Sequence, residues 1–172
     1  MQEGEGAAQP SPQEQAIIYS SIFKEQLLQG RSEIFAHQYA DLKAEGQYVE
    51  EYCYWFAHSY DDALQKGKSE KYAYLFADKM GDYYADYYGR YLKDPIIDSR
   101  NHEFNERRIL GHMKGWEYAT ANEFKNADTF ISCYESTYIN ERYPDLQTNS
   151  FHSGEEFDQH VLKIVLSKLK MI

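Results

Sequence analysis

Histidine and aspartate recur four residues apart in this chain, as His37 with Asp41 and as His58 with Asp62. On a helix, residues i and i+4 stand one above the other, so each pair presents an imidazole and a carboxylate on one face. Two neighbouring helices that brought the pairs together would offer a set suited to zinc or iron. His37, Asp41, His58 and Asp62 are therefore the metal candidates. Each pair also serves, more simply, as a surface pair supporting its own helix. His102 with Glu106 and Glu156 with His160 have the same spacing, while the Glu-x-x-His spacing of di-iron bundles does not occur.

Other chemistry finds less support. Cys53 lies among Tyr52, Tyr54 and Trp55, and Cys133 close to Ile131 and Tyr134. Apolar surroundings raise a thiol pKa and leave it inert, so both cysteines read as free, buried and structural. Gly30 and Gly67 stand alone without the strand and clustered glycines of a phosphate loop. No catalytic residue and no cofactor are expected.

The elements that would position these residues announce themselves through repetition. The stretch GRSEIFAHQYAD, residues 30–41, returns as GKSEKYAYLFAD at residues 67–78, with six of twelve positions identical. In each copy Gly is suited to close one helix in a left-handed turn and Ser to cap the next. Three segments then share an aromatic–small–x–x–aromatic–Ala pattern: Phe35-Ala36 with Tyr39-Ala40, Tyr52-Cys53 with Phe56-Ala57, and Tyr72-Ala73 with Phe76-Ala77. Tyr84-Ala85 with Tyr88-Gly89 is a weaker echo. At this spacing the rings form a ridge and the small residues a groove that a neighbouring helix can enter.

The remaining punctuation is helical throughout. Ser11-Pro12-Gln13-Glu14 is a capping box with Pro at the first helical position, opening a helix that Gly30 ends. A second helix runs from Ser32 to Gly46, a third from about Gln47 to Gly67, and a fourth from Ser69 to roughly Leu92, where Asp94-Pro95 breaks it. A fifth follows Asp98 or Ser99, with Gly111 and Gly115 as potential breaks or kinks. A sixth spans about Ala127 to Tyr143, with Phe130, Cys133, Tyr134, Tyr138 and Ile139 inward, and Pro144 stops it. Ser153-Gly154-Glu155-Glu156 opens the last. No stretch alternates as a strand would.

The expected fold is all-α with about seven helices, either a helix-pair repeat array or a compact bundle with an internal duplication. Residues 1–10 read as a disordered tail and 11–172 as a single domain, with the repeats in 30–92 and non-repetitive helices in 98–172. The period of 37 residues between the two Gly-x-Ser-Glu copies is the size of one helix-pair unit, and such arrays bind other proteins along one face. The tetratricopeptide frame of Trp, Leu, Gly and Tyr is absent. The stretch QYVEEYCYWFAHSYDDALQKG, residues 47–67, resembles the aromatic second-helix region of the thiaminase-like, haem-oxygenase-like bundles. The internal repeat accounts for the same residues, and no role is carried over from that likeness.

Composition narrows the partner. The 172 residues include 17 Tyr, 9 Phe and 2 Trp, and the formal charge is -10 with no basic stretch to offset it. Phosphate backbones and anionic membranes repel such a surface, so neither nucleic acid nor membrane is expected. The opening residues lack a signal pattern, and no apolar run reaches membrane-spanning length, which together suggest a soluble, cytoplasmic protein. The expected function is a non-enzymatic binding or scaffold module with a protein partner, a basic one being favoured by the charge, or a second copy of itself. Its anchors are Tyr54, Trp55 and Tyr74 with Asp61, Asp62, Asp82 and Asp86. The alternatives are a bundle enzyme or a small-molecule or metal carrier near His37 and His58, and an acidic inhibitor of the immunity type.

Overall fold

The computed structural model describes residues 8–90, 99–141 and 154–171, and the side chains of these except 88–90 and 99–101. The described residues form seven α-helices and no strand: α1 Pro12–Leu28, α2 Glu33–Glu45, α3 Glu50–Gln65, α4 Glu70–Arg90, α5 Ser99–Ala121, α6 Ala127–Glu141 and α7 Gly154–Lys168. None is long and apolar enough to cross a membrane. The chain divides into two compact units, Met1–Ile96 and Ile97–Ile172, where the sequence suggests one domain over 11–172. Expectations about residues 1–7, the break at Asp94-Pro95, a cap at Asp98, the stop at Pro144 and the cap at Ser153 fall outside the described residues. Pro10, by contrast, lies close to Gly46, and its carbonyl accepts a bond from the Gln15 side chain at 3.1 Å.

In the first unit, the repeated Gly-x-Ser-Glu is a stop signal followed by a start signal. After α1, the Arg31 N–H reaches the Gln26 carbonyl at 3.1 Å and the Gly30 N–H that of Leu27 at 3.0 Å. After α3, Lys68 reaches Ala63 and Gly67 reaches Leu64, each at 3.0 Å. These are two Schellman closures, and the left-handed φ of 81° at Gly30 and 78° at Gly67 is what glycine permits without a Cβ clash. Two residues on, Ser32 accepts from the Phe35 N–H at 3.0 Å and Ser69 from the Tyr72 N–H at 3.1 Å, opening α2 and α4. The α3 helix starts differently: its N-cap is Val49, which makes no side-chain bond. Acids in its first turn compensate, and Glu50 also takes bonds from Tyr39 and Lys43 of α2. Burial works against the Glu50 charge, but those two bonds outweigh it and hold the carboxyl below the usual range.

The packing pattern operates as its spacing suggests. Ala36, Ala40, Cys53, Ala57, Ala73 and Ala77 are all fully buried. The paired rings follow one another along each helix, Phe35 to Tyr39 at 5.6 Å, Tyr52 to Phe56 at 5.7 Å and Tyr72 to Phe76 at 6.1 Å. Small residues let the backbones approach, and rings from the neighbour fill the space between. Close packing runs in chain order, α1 on α2, α2 on α3 and α3 on α4.

In the second unit α5 packs on α6 and α6 on α7, around Phe130, Ile131, Tyr134, Tyr138, Val161, Leu162 and Val165. The inner face of α6 includes Ile131 and Thr137, while Cys133 and Ile139 are half-buried. Gly111 and Gly115 neither break nor end α5, which is continuous across them. A Cβ at Gly111 would stand 2.9 Å from the Tyr138 ring, and one at Gly115 would stand 3.0 Å from Tyr134 Cβ. The two glycines sit one turn apart so that α5 can lie directly on the two tyrosines of α6.

Candidate functional site

The α3–α4 pair builds a face of tyrosines and carboxylates. Tyr48, just ahead of α3, stacks on Tyr52 at 4.8 Å, and the line continues through Phe56 to Tyr60, each four residues on. From α4, Tyr74 meets Phe56 edge to face at 5.6 Å. One turn later Asp78 accepts a 2.7 Å bond from the Tyr52 hydroxyl, and one turn beyond that Asp82 is exposed. Gly81 lets Tyr52 lie flat against α4, since a Cβ there would come within 2.8 Å of the ring. Tyr52 and Phe56 are buried, while Tyr48 and Tyr74 remain 40% and 57% exposed above them. Burial, followed by the neighbouring Asp78 carboxylate, pushes the Asp82 carboxyl above its ordinary range. Burial and the Asp78 bond push the Tyr52 hydroxyl upward too.

A second ring cluster joins α2, α3 and α4. Tyr54 meets Phe35 edge to face at 5.7 Å and lies parallel to His58 at 6.1 Å. The Arg31 guanidinium sits over Phe35 and Tyr54, at 4.8 and 5.5 Å, a cation–π arrangement. Trp55 stacks face to face on Tyr84 at 3.8 Å.

The seven expected anchors are thus divided. Tyr74 and Asp82 share the first face, whereas Tyr54 and Trp55 belong to the second cluster. Asp61 accepts a 2.8 Å bond from the Ser32 hydroxyl and another from Gln65, so it ties α3 to the cap of α2. Asp62 pairs with Lys66 at 2.8 Å. Asp86 is exposed on α4. The first face also draws in Tyr48, Tyr52 and Asp78, which sequence reasoning left out. Their signal was present in the i, i+4 lines Tyr48-Tyr52-Phe56-Tyr60 and Tyr74-Asp78-Asp82.

The metal candidates do not assemble. Among the described residues no group of three or more His, Cys, Asp or Glu is placed to hold an ion, so His37, Asp41, His58 and Asp62 form no such set. His37 Nδ1 instead lies 2.6 Å from the Tyr19 hydroxyl of α1, and His58 rests against Tyr54 and Trp55. The physical reason is that the two histidines are used by different neighbours. His102 pairs with Glu106 at 3.2 Å, and His160 meets Glu141 of α6 at the same distance. His112 finds Glu135 at 3.0 Å, a pairing between helices with no trace in local spacing. Cys53 is buried, and burial pushes its thiol up to about 11, an inert group.

The second unit has a recess of about 300 Å³ lined by Phe124, Lys125, Asn126, Thr129, Phe130, Leu169 and Met171. Two helix endings create it. After α5 the Phe124 N–H reaches back to Ala119, and after α7 the Met171 N–H reaches back to Leu166, with Glu123 and Lys170 in left-handed conformation between. Each turn projects an apolar side chain toward the start of α6. No protein-family profile, curated protein or solved structure matches this chain.

Proposed function

We propose that this chain is a binding module that docks a basic protein partner on the tyrosine- and acid-lined face of the α3–α4 pair. Tyr74 carries the reading: the residue is 57% exposed, yet its ring is held edge-on against buried Phe56, one turn from Asp78 and two from Asp82. A ring fixed in place loses little entropy on binding, and tyrosine contributes disproportionately at interfaces. Exposed Tyr48, stacked on Tyr52, presents a second such ring. Carboxylates beside the rings favour lysine and arginine, which gain both an ion pair and a cation–π contact. The charge of -10 steers a basic partner toward the molecule and like-charged surfaces away.

The test is affinity capture with the wild-type chain beside Tyr74→Ala and Asp82→Lys, followed by titration of the purified partner at low and high salt. The expected result is a basic partner whose affinity falls about tenfold in Tyr74→Ala, the size of a modest hot spot. Its binding by the wild type weakens with salt, and Asp82→Lys abolishes it. A partner set that neither variant changes removes the reading.

A further inference from the structure

We propose that the recess between the ends of α5 and α7 and the start of α6 binds a small amphipathic carboxylate, with its apolar body inside and its anionic end at Lys125. The assignment is independent of the tyrosine face and concerns the other unit. Phe124, Phe130, Leu169 and Met171 form the interior, with Phe124 and Phe130 edge to face at 4.9 Å. Phe130 is buried while Met171 is 42% exposed, so the recess grades from a dry floor to an open rim. Its polar lining is Lys125 and Asn126, just ahead of α6, and Thr129 in the first turn of α6.

The charge at the rim decides the sign of the ligand. Lys125 is the charged residue in the lining, and neither Glu123 nor Asp128 contributes to it. An ammonium at the rim of an apolar recess, with no carboxylate in the lining, can pair with an anion. Asn126 and Thr129 can each donate a hydrogen bond to the same carboxylate. Size follows from volume. At about 30 Å³ for a water-sized group, 300 Å³ holds on the order of ten heavy atoms. That corresponds to a medium-chain aliphatic or an aryl-alkyl acid. Apolar contact with few converging polar groups is the usual construction of a small-molecule site.

Octanoate is the probe, titrated into the full chain and followed by amide and methyl chemical shifts, with octanol as the neutral control. The expected result is saturable shifts confined to residues 124–130, 169 and 171, with a Kd on the order of 1 mM for a ligand of this size. Octanol binds more weakly, and Lys125→Ala, a change at an exposed side chain, costs about fivefold in octanoate affinity. Leu169→Trp, which fills the recess, abolishes the shifts. Shifts that do not saturate, or that appear instead at exposed Ile17 and Leu28 of α1, overturn the site. Octanol binding as tightly as octanoate, with Lys125→Ala unchanged, overturns the anionic ligand.

Discussion

Gly81→Ala sets two opposing effects against each other at one atom. In a solvated helix interior, alanine for glycine stabilises by about 1 kcal/mol, because glycine loses more backbone freedom on folding. At position 81 the new methyl would stand 2.8 and 2.9 Å from two carbons of the Tyr52 ring. The ring has little room to yield. Its hydroxyl is bound to Asp78 at 2.7 Å, and Tyr48 covers one side at 4.8 Å. Overpacking of this kind costs roughly 1–3 kcal/mol, so the substitution destabilises by up to about 2 kcal/mol net. For a unit of this size that lowers the melting temperature by roughly 4–8 °C per kcal/mol. The contact involves ring atoms alone, so in a Tyr52→Ala background the clash disappears and the same change at 81 stabilises by about 1 kcal/mol. The double-mutant cycle therefore predicts a coupling of about 1–3 kcal/mol between positions 52 and 81. Hydrogen exchange of α3 and α4 peptides across a urea series reads this locally, without assuming that both units unfold together. If Gly81→Ala stabilises α4 equally in both backgrounds, the close approach is not a constraint and the packing argument fails.

Ser32→Ala removes both the α2 cap and the bond to Asp61, and is expected to cost about 1–2 kcal/mol in urea unfolding, more than an ordinary cap loss. Glu123→Gly, at a left-handed position with φ of 52°, is expected to stabilise the second unit by up to about 1 kcal/mol, measured as a higher melting temperature. Cys53 should resist alkylation in the folded chain at pH 8 while half-buried Cys133 reacts, with mass-spectrometric mapping showing equal labelling in urea. Tyr138 is pushed up to about 12 by burial, with the Asp158 carboxylate adding to it. Its folded pKa lies above the ordinary 10, so its contribution is complete below pH 10 and is lost as pH rises toward 12. Denaturant midpoints of the second unit should fall across that window, and Tyr138→Phe should flatten the fall.

Much of the architecture is local in origin and is therefore written in short words. The two Gly-x-Ser-Glu segments specify their turns because a Schellman closure and a serine cap involve only residues within five positions of one another. The buried alanines of α2 and α4 and the rings beside them follow from helical spacing in the same way. Gly111 and Gly115 were legible as residues but not as roles. A glycine in a helix can mark a kink or a close neighbour, and only the approach of Tyr134 and Tyr138 from α6 selects the second.

The site residues divide along the same line. The i, i+4 line Tyr74-Asp78-Asp82 puts these residues on one face of a helix, but which neighbour that face meets is a long-range property. Phe56 and Tyr52 of α3 supply the backing that turns two exposed rings into a fixed surface. The paired histidines illustrate the converse, since equal spacing on adjacent helices brought no shared site: His37 turns to Tyr19 of α1 and His58 to rings of its own helix. The sequence by itself determined the helices, the caps at Ser11, Ser32 and Ser69 and the small-residue grooves, all of which depend on interactions within a turn or two. Tertiary structure decided which faces meet, and with them the tyrosine face, the His112–Glu135 pair and the recess beside Lys125. Those depend on packing between segments far apart in the chain, where spacing carries no information.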